Sequence, residues 1–240
     1  MSFLEAAGIL FFAYPAGLVV AVWFALGRLL GRIVVLHEER LPENVENTII
    51  PFNHPSVIDP FLVAGLLSKY YLPHPLKQAP LIAADRKHFY DNKLLLVFRS
   101  AMYPVDRGNK GREAFSILGM RKTKRPLMIG PEGGRTFKCE AGNWMYCEKG
   151  NDSNGGRIRP LKGGAGLLVQ KMGATVLPIA IVGSHTVVPN SKKQLWTHFN
   201  FWGKVTIVVG EPTRFDPNLP KEEVTQQLAV KLLSLINEAL

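Results

Sequence analysis

The sequence contains little cysteine and no long block of basic residues, and both shortages restrict what the protein can be. Cys139 and Cys147 are its only cysteines. They are too few for the disulfide framework of a small secreted domain, so a reducing cytosolic environment fits, with a local bridge as the alternative. No second pair completes a zinc site. The densest basic run is 121–125, and no aromatic-rich RNA-binding motif accompanies it. Nucleic acid is therefore not an expected partner.

The chain does contain enough apolar sequence to build a core. Of its 240 residues, 47% are hydrophobic and 20% are charged, a balance that excludes a disordered chain. The length favours one domain with an appendage over two equal domains. Lys and Arg outnumber Asp and Glu by 29 to 19, which gives a formal net charge of +10. The partner is therefore expected to be anionic, such as a membrane surface or a phosphorylated substrate.

The amino-terminal segment predicts membrane association. The 22 residues 6–27 carry no charge, and as one helix they would extend about 33 Å, enough to cross a bilayer core. Pro15 interrupts the run, so a membrane-dipping hairpin and a single kinked span both remain open. Glu5 and the lack of Lys or Arg before the run do not fit a signal peptide, so we expect the segment to be retained. Arg28 and Arg32 follow it, which places the remaining chain in the cytoplasm.

Beyond this segment, short apolar runs alternate with helical patterns. The alternation predicts an α/β fold with a mixed, largely parallel sheet flanked by helices. We expect a membrane-anchoring segment at 1–36 and the α/β domain at 37–240, with a connector at 37–47 and an exposed loop at 70–78. The predicted strands are 48–52, 81–84, 101–105, 126–129, 175–181 and 204–210. The predicted helices are 60–69, 92–100, 111–122, 162–172 and 222–240.

One turn between a strand and a helix carries a candidate catalytic pair. His54 and Asp59 are separated by four residues, directly after the strand predicted at 48–52. Crevices of α/β folds lie at such strand ends. The Asp59 carboxylate can reach back to one ring nitrogen of His54 and leave the other to accept a proton. The structural alternative is that Asp59 is a helix N-cap before Pro60 and that the turn has no chemical role.

Further turns along the chain are suited to anions. Gly133 and Arg135 lie in a glycine-rich turn after the strand at 126–129, where backbone amides and a guanidinium can converge on a phosphate. Lys162 precedes the glycine-rich start of a helix. The hydrophilic stretch 139–160 between them is either an excursion over the site or an insertion without a catalytic role. The histidines other than His54 lack ligand spacing, so no metal is expected.

Taken together, these turns resemble the four motifs of the lysophosphatidic acid acyltransferase family of glycerolipid acyltransferases. The likeness covers about 48–215. Two features depart from it: Gly134 stands where the family usually has threonine, and the stretch 139–160 is longer than the resemblance implies. The matching stretches are Asn53-His54-Pro55-Ser56-Val57-Ile58-Asp59, Tyr103-Pro104-Val105-Asp106-Arg107-Gly108, Pro131-Glu132-Gly133-Gly134-Arg135 and Val176-Leu177-Pro178-Ile179.

The resemblance implies a 1-acyl-sn-glycerol-3-phosphate O-acyltransferase. Such an enzyme moves a fatty acyl group from acyl-CoA or acyl carrier protein to lysophosphatidate. The resemblance also implies that membrane phospholipids are partners and that no cofactor is needed. His54 would be the base and Asp59 its orienting carboxylate. The residues implied in binding the substrate phosphate are Arg107, Gly108, Glu132, Gly133 and Arg135. Arg86, Lys87 and Lys162 are further candidate anion contacts, each with a solvated surface charge as the alternative.

Other functions stay open at the level of sequence. The acceptor could be another lysophospholipid, and the chain could be a non-catalytic, membrane-anchored lipid-binding protein. A hydrolase that uses Ser56 as nucleophile, or a metal, is a third alternative.

Overall fold

A five-stranded parallel sheet forms the centre of the molecule. The structure, a computed structural model, describes residues 3–106, 124–136, 144–151, 156–188, 200 and 202–240. Its strands lie in the order β4 (Met102–Val105), β3 (Leu81–Asp85), β5 (Leu127–Ile129), β2 (Thr48–Pro51) and β8 (Thr175–Val176), and every neighbouring pair is parallel. This arrangement confirms the predicted α/β class. The other strands are β1 (Ile33–Leu36), β6 (Met145–Tyr146), β7 (Arg157–Ile158), β9 (Ile179–Val182) and β10 (Val205–Val209).

A second sheet of three strands, in the order β1-β10-β9, adjoins the first. β1 pairs with β10 in parallel and β10 pairs with β9 antiparallel. β1 was not predicted, because its four residues Ile33–Leu36 directly follow the apolar amino-terminal run. The last residues of the segment expected to anchor the chain thus take part in a sheet.

Proline separates the two sheets. The sequence predicts one strand over 175–181, but the structure divides it into β8 and β9, which belong to different sheets. Pro178 lies between them and has no amide hydrogen to donate to a ladder. Instead its carbonyl accepts a hydrogen bond from Gly210 at 2.9 Å. The prediction of a single strand was therefore wrong.

Helices cover the sheets. In α8, the predicted apolar face is fully buried at Val224, Leu228, Leu232 and Ile236. The predicted helix 111–122 and Cys139 lie outside the described residues. Within 139–160, the described part forms the two-stranded antiparallel hairpin β6–β7. The helices are α1 (Phe3–Gly8), α2 (Tyr14–Leu29), α3 (Asp59–Leu66), α4 (Ser68–Tyr71), α5 (Pro75–Gln78), α6 (Gly163–Met172), α7 (Ser184–Val187) and α8 (Lys221–Ala239), with π-helical segments Ile9–Ala13 and Arg86–Tyr90 and 3₁₀ segments Glu38–Arg40 and Lys93–Ala101.

The stretch 70–78 was predicted to be an exposed loop and is not one. It contains parts of α4 and α5, and Tyr70, Tyr71 and Gln78 are buried. The Tyr71 hydroxyl donates a hydrogen bond of 2.8 Å to the Gly17 carbonyl in α2. Tyr71 therefore packs the amino-terminal helix onto the domain, a role that the neighbouring prolines and histidines hide in the sequence.

Candidate active site

Residues that follow parallel strands meet at one edge of the central sheet. His54 follows β2, Arg86 follows β3 and Glu132 follows β5. Because these strands are parallel neighbours, their carboxyl ends lie at the same edge. A backbone hydrogen bond of 2.7 Å from Thr136 to the His54 carbonyl joins the two turns directly. The sheet thus brings together side chains that are far apart in the sequence.

His54 and Asp59 form a hydrogen-bonded pair in this turn. The His54 Nδ1 atom lies 2.9 Å from Asp59 Oδ2. Asp59 is fully buried, whereas the His54 side chain is 21% exposed. Since Nδ1 is engaged by the carboxylate, Nε2 is the ring nitrogen that can accept a proton. A histidine held in this way has the geometry of a general base.

The Asp59 carboxylate is not a helix cap. Ile58 holds the N-cap position of α3, and Asp59 Oδ2 accepts a hydrogen bond of 2.6 Å from the Ser56 amide as well as meeting His54. Burial raises the pKa of the Asp59 carboxyl, and the His54 imidazole opposes that rise. The capping alternative from the sequence therefore does not describe this residue.

Glu132 is a buried carboxylate that joins three segments of the site. Its Oε1 accepts hydrogen bonds from the His54 amide at 2.9 Å and from the Thr136 hydroxyl at 2.8 Å. Its Oε2 accepts one from the Arg159 amide at 2.9 Å. Burial raises the pKa of Glu132, and these hydrogen bonds oppose the rise. The carboxylate therefore fixes the backbone around His54.

Two neighbours of His54 fix the turn from the other side. Asn53, fully buried, exchanges two hydrogen bonds with the Ile181 backbone, at 2.8 and 2.7 Å. The Ser56 hydroxyl is also buried and donates to the Val188 carbonyl at 2.8 Å. A hydroxyl engaged in this way is a structural group, so the geometry does not favour Ser56 as a nucleophile.

A second histidine lies near the pair. His185 is in the short helix α7, which follows β9. Burial lowers its pKa, and the Asp59 carboxylate opposes this change. The sequence had placed no role on His185, because only the fold brings it close to the first motif.

The basic side chains that were predicted to bind phosphate differ in their contacts and exposure. Arg86 forms an ion pair of 2.8 Å with Asp106, at the adjoining ends of β3 and β4. Lys87 is exposed on the π-helical segment after β3. Lys162 packs its aliphatic chain against Gly133, whose φ of +70° is a left-handed conformation. Arg135 lies in the same turn and is partly buried.

Arg107 and Gly108, the predicted second motif, lie outside the described residues. The preceding residue, Asp106, is described and is held by Arg86. The role of both residues therefore stays a prediction. In the described ranges, no group of three or more His, Cys, Asp or Glu side chains is arranged to hold a metal ion.

Comparison with known proteins decides the family. The family model described as Acyltransferase matches residues 32–182, more than half of the chain. The chain belongs to the acyltransferase family. No curated protein matches it significantly.

The fold of this acyltransferase also has a solved counterpart. It is similar to the 1-acyl-sn-glycerophosphate (LPA) acyltransferase PlsC from Thermotoga maritima, with a TM-score of 0.59. The alignment covers 92% of this chain and 79% of that chain at 19% sequence identity. The likeness extends the predicted fold beyond the stretch that the family model matches.

The amino-terminal helix of the acyltransferase is long and apolar enough to cross a membrane. It runs from Phe3 to Leu29 as one helical segment of 27 residues, of which the most apolar part is 17% buried. A π-helical segment precedes Pro15, and the helix continues through the proline without reversing direction into a hairpin. Of the two sequence alternatives, the single helix is the one present. Its exposed large apolar residues are Phe3, Leu4, Leu10, Phe11, Phe12, Leu18, Val19, Val22, Leu26 and Leu29.

Sequence reasoning missed Arg159 in the acyltransferase. Its Nη1 atom lies 3.3 Å from the position that a Cβ atom would take at Gly134. Arg159 directly follows β7 of the hairpin within 139–160, so this stretch contributes to the site. The glycine at position 134 was the signal in the sequence that could have pointed to a neighbouring side chain.

Proposed function

We propose that this acyltransferase moves a fatty acyl group from an acyl thioester, acyl-CoA or acyl carrier protein, to the free hydroxyl of lysophosphatidate, which gives phosphatidate. The observation that carries the proposal is the His54–Asp59 pair, with a buried carboxylate on Nδ1 and a partly exposed ring. Family membership supplies the reaction class. The excess of 29 basic over 19 acidic residues suits an anionic acceptor.

The chemistry proceeds by direct transfer. His54 Nε2 takes the proton of the acceptor hydroxyl while that oxygen attacks the thioester carbonyl carbon. The tetrahedral intermediate collapses, the carbon–sulfur bond breaks, and the proton passes from the imidazolium to the leaving thiolate. Asp59 holds the neutral tautomer and stabilises the imidazolium. A positioned base of this kind contributes about 10²- to 10⁴-fold in rate. No acyl-enzyme is needed, which agrees with the engaged hydroxyl of Ser56.

The phosphate of the acceptor would be held by cations at the same sheet edge. Arg135 and Arg107 are the arginines implied by the family resemblance, with Gly133 and Gly108 beside them. A guanidinium binds a phosphate through two parallel N–H groups. Glu132 would act through the backbone amides that it holds, because its two oxygens already accept three hydrogen bonds.

The helix Phe3–Leu29 suits a lipid substrate. Its exposed apolar face would lie in the bilayer, where the acyl chains of acceptor and product reside. The headgroup could then reach His54 while the chains stay in lipid. We propose that the catalytic domain faces the cytoplasm, where acyl-CoA and acyl carrier protein are present.

The decisive experiment replaces His54. The full chain, reconstituted in lipid, is incubated with a labelled acyl thioester and a panel of lysolipids, and products are identified by mass spectrometry. We expect His54→Ala to reduce phosphatidate formation at least about 10²-fold, with unchanged vesicle binding. His74→Ala is the matched control, because His74 is exposed and should leave the rate unchanged. Equal turnover of His54→Ala and wild type would refute the role of His54.

The remaining alternatives give different products. A lipid-binding protein would release no thiol with any donor and acceptor. A hydrolase would release fatty acid without a lysolipid. Transfer to another lysophospholipid in preference to lysophosphatidate would retain the reaction and change the acceptor.

A further inference from the structure

An arginine from outside the sequence motifs lies against the glycine-rich turn after β5. The Arg159 Nη1 atom is 3.3 Å from the Cβ position of Gly134, so a side chain at position 134 would require the guanidinium to move by a few tenths of an ångström. The family resemblance places threonine at position 134. Glycine thus leaves the space that the Arg159 guanidinium occupies.

The backbone of Arg159 is fixed relative to His54. The amides of both residues donate to one carboxylate, His54 to Oε1 and Arg159 to Oε2 of Glu132, each at 2.9 Å. Glu132 is 1% exposed, so this bridge is protected from water and rigid. The backbone that carries the Arg159 side chain is therefore held beside the turn that contains His54.

Arg159 and Lys162 bring positive charge to this turn. Among the described residues, no ion pair joins Arg159 or Lys162 to an acidic side chain. Glu132, the buried carboxylate of this turn, already accepts hydrogen bonds from the His54 amide, the Thr136 hydroxyl and the Arg159 amide. Lys162 packs against Gly133, with its Cγ atom 2.9 Å from the Cβ position there. Arg159, Lys162 and Arg135 thus surround one short turn.

We propose that Arg159 is a specificity-determining residue, which selects lysolipids that end in a phosphate monoester over those with a phosphodiester headgroup. The inference rests on the proposed function and deepens it. A phosphate monoester carries about −1.5 to −2 charges at neutral pH and offers three terminal oxygens, whereas a phosphodiester carries one charge and two such oxygens. One guanidinium takes two oxygens of either group, but only the monoester keeps a third oxygen and further negative charge for an additional cation, so an additional arginine gains most from the monoester.

The test compares acceptors in an Arg159→Met variant of the full chain in lipid. We expect the KM for lysophosphatidate to rise about 10- to 100-fold, the range for a hydrogen bond to a charged group. The KM for the acyl thioester should stay constant. The kcat/KM preference for lysophosphatidate over lysophosphatidylcholine with the same acyl chain should fall, by less than that factor, because the phosphodiester loses part of the same interaction. Arg214→Met is the matched control, since Arg214 is exposed and lies outside this turn.

A second variant tests the same contact without removing the arginine. Gly134→Thr places a Cβ atom against Nη1 and should displace the guanidinium, so it should raise the KM for lysophosphatidate in the same direction. In the Arg159→Met background, Gly134→Thr should add nothing further, because the displaced group is already gone. Additive effects of the two substitutions would contradict the proposed contact.

Two kinetic outcomes would overturn the inference. If only the KM for acyl-CoA rises, the phosphate that Arg159 meets belongs to the donor. If neither KM changes in a folded Arg159→Met protein, the guanidinium contacts no substrate.

A binding experiment separates this inference from the proposed reaction. Lysophosphatidate affinity is measured by calorimetry for His54→Ala and for His54→Ala with Arg159→Met. Weaker binding by the second supports the Arg159 site even if no acyl transfer is ever observed, and equal binding refutes it.

Discussion

At the scale of single residues, Asp59 determines which tautomer His54 adopts. Asparagine at position 59 could present its amide nitrogen to Nδ1, so that Nε2 would carry the hydrogen and could not act as a base. We expect Asp59→Asn to lower kcat by about 10²- to 10⁴-fold, the contribution of a positioned base and at most the loss of about 10⁴-fold that this change causes in a serine protease, with little effect on KM. Initial rates with lysophosphatidate measure the change, and the exposed Asp216→Asn is the control. A loss below tenfold would argue against tautomer control.

The same substitution should alter how stability depends on pH. Burial raises the pKa of Asp59, so the folded protein binds its proton more tightly than the unfolded chain does. The stabilising contribution is present below the unfolded pKa and is lost as the pH rises through the folded pKa. An asparagine side chain at this position cannot ionise. In urea unfolding, the free energy of unfolding of Asp59→Asn should therefore increase relative to that of wild type as the pH rises from about 4 to about 8. A relative decrease over the same range would contradict a raised pKa of Asp59.

Sequence reasoning reached some residues of the site and not others. His54 and Asp59 are close in the chain, so one turn suffices to bring them together, and the observed distance of 2.9 Å agrees with that expectation. Arg159 follows a hydrophilic stretch, and no pattern in the sequence predicts where that stretch lies in the fold. Its contact with Gly134 depends on where the β6–β7 hairpin folds back, and only tertiary packing determines that.

At the scale of elements, Asn53 connects the two sheets. Its side chain bonds both polar groups of the Ile181 backbone in β9, while its own backbone continues β2 into the His54 turn. Asn53→Ala would leave two buried backbone groups without partners, each costing about 1–3 kcal/mol. We expect the free energy of unfolding to fall by about 2–6 kcal/mol, as measured by chemical denaturation.

Two further variants test this connection. Asn53→Asp keeps the acceptor for the Ile181 amide but buries a carboxylate oxygen against the Ile181 carbonyl, so it should be at least as destabilising as Asn53→Ala. The exposed Asn44→Ala serves as the surface control. If Asn53→Ala is as stable as this control, the two hydrogen bonds do not hold the sheets together.

The sequence predicted those helices and strands whose apolar pattern lies within the element itself. The apolar period of α8 and the short buried runs of β2, β3 and β5 were predicted, since burial of one face or of a whole strand is visible in the residues themselves. The division of β8 from β9 was not, because a proline can end a strand or lie at its edge. β1 was hidden because strand and membrane helix are both apolar.

At the scale of the whole molecule, the amino-terminal helix is packed on the domain along one side. Phe24 is buried against Gly65 of α3, where a Cβ atom would come within 2.6 Å of its ring. Near the helix start, Glu5 meets the buried guanidinium of Arg125 at 3.4 Å. Burial lowers the pKa of Arg125 to about 10, and Glu5 opposes that change. The helix thus has a fixed position relative to the sheet edge that carries His54.

The opposite side of that helix predicts how the protein meets lipid. Phe11 and Val19 are 74% and 69% exposed, and lysine in the apolar part of a membrane costs about 2.5–3.5 kcal/mol per residue. Phe11→Lys combined with Val19→Lys should therefore reduce flotation with anionic vesicles at least about tenfold, while transfer to a short-chain lysophosphatidate in solution is retained. Gln226→Lys with Ser234→Lys adds the same charge to exposed positions of α8 and should leave flotation unchanged. Equal flotation of both double variants would mean that the exposed face of the helix does not contact the bilayer, and that the lipid acceptor reaches His54 by another route.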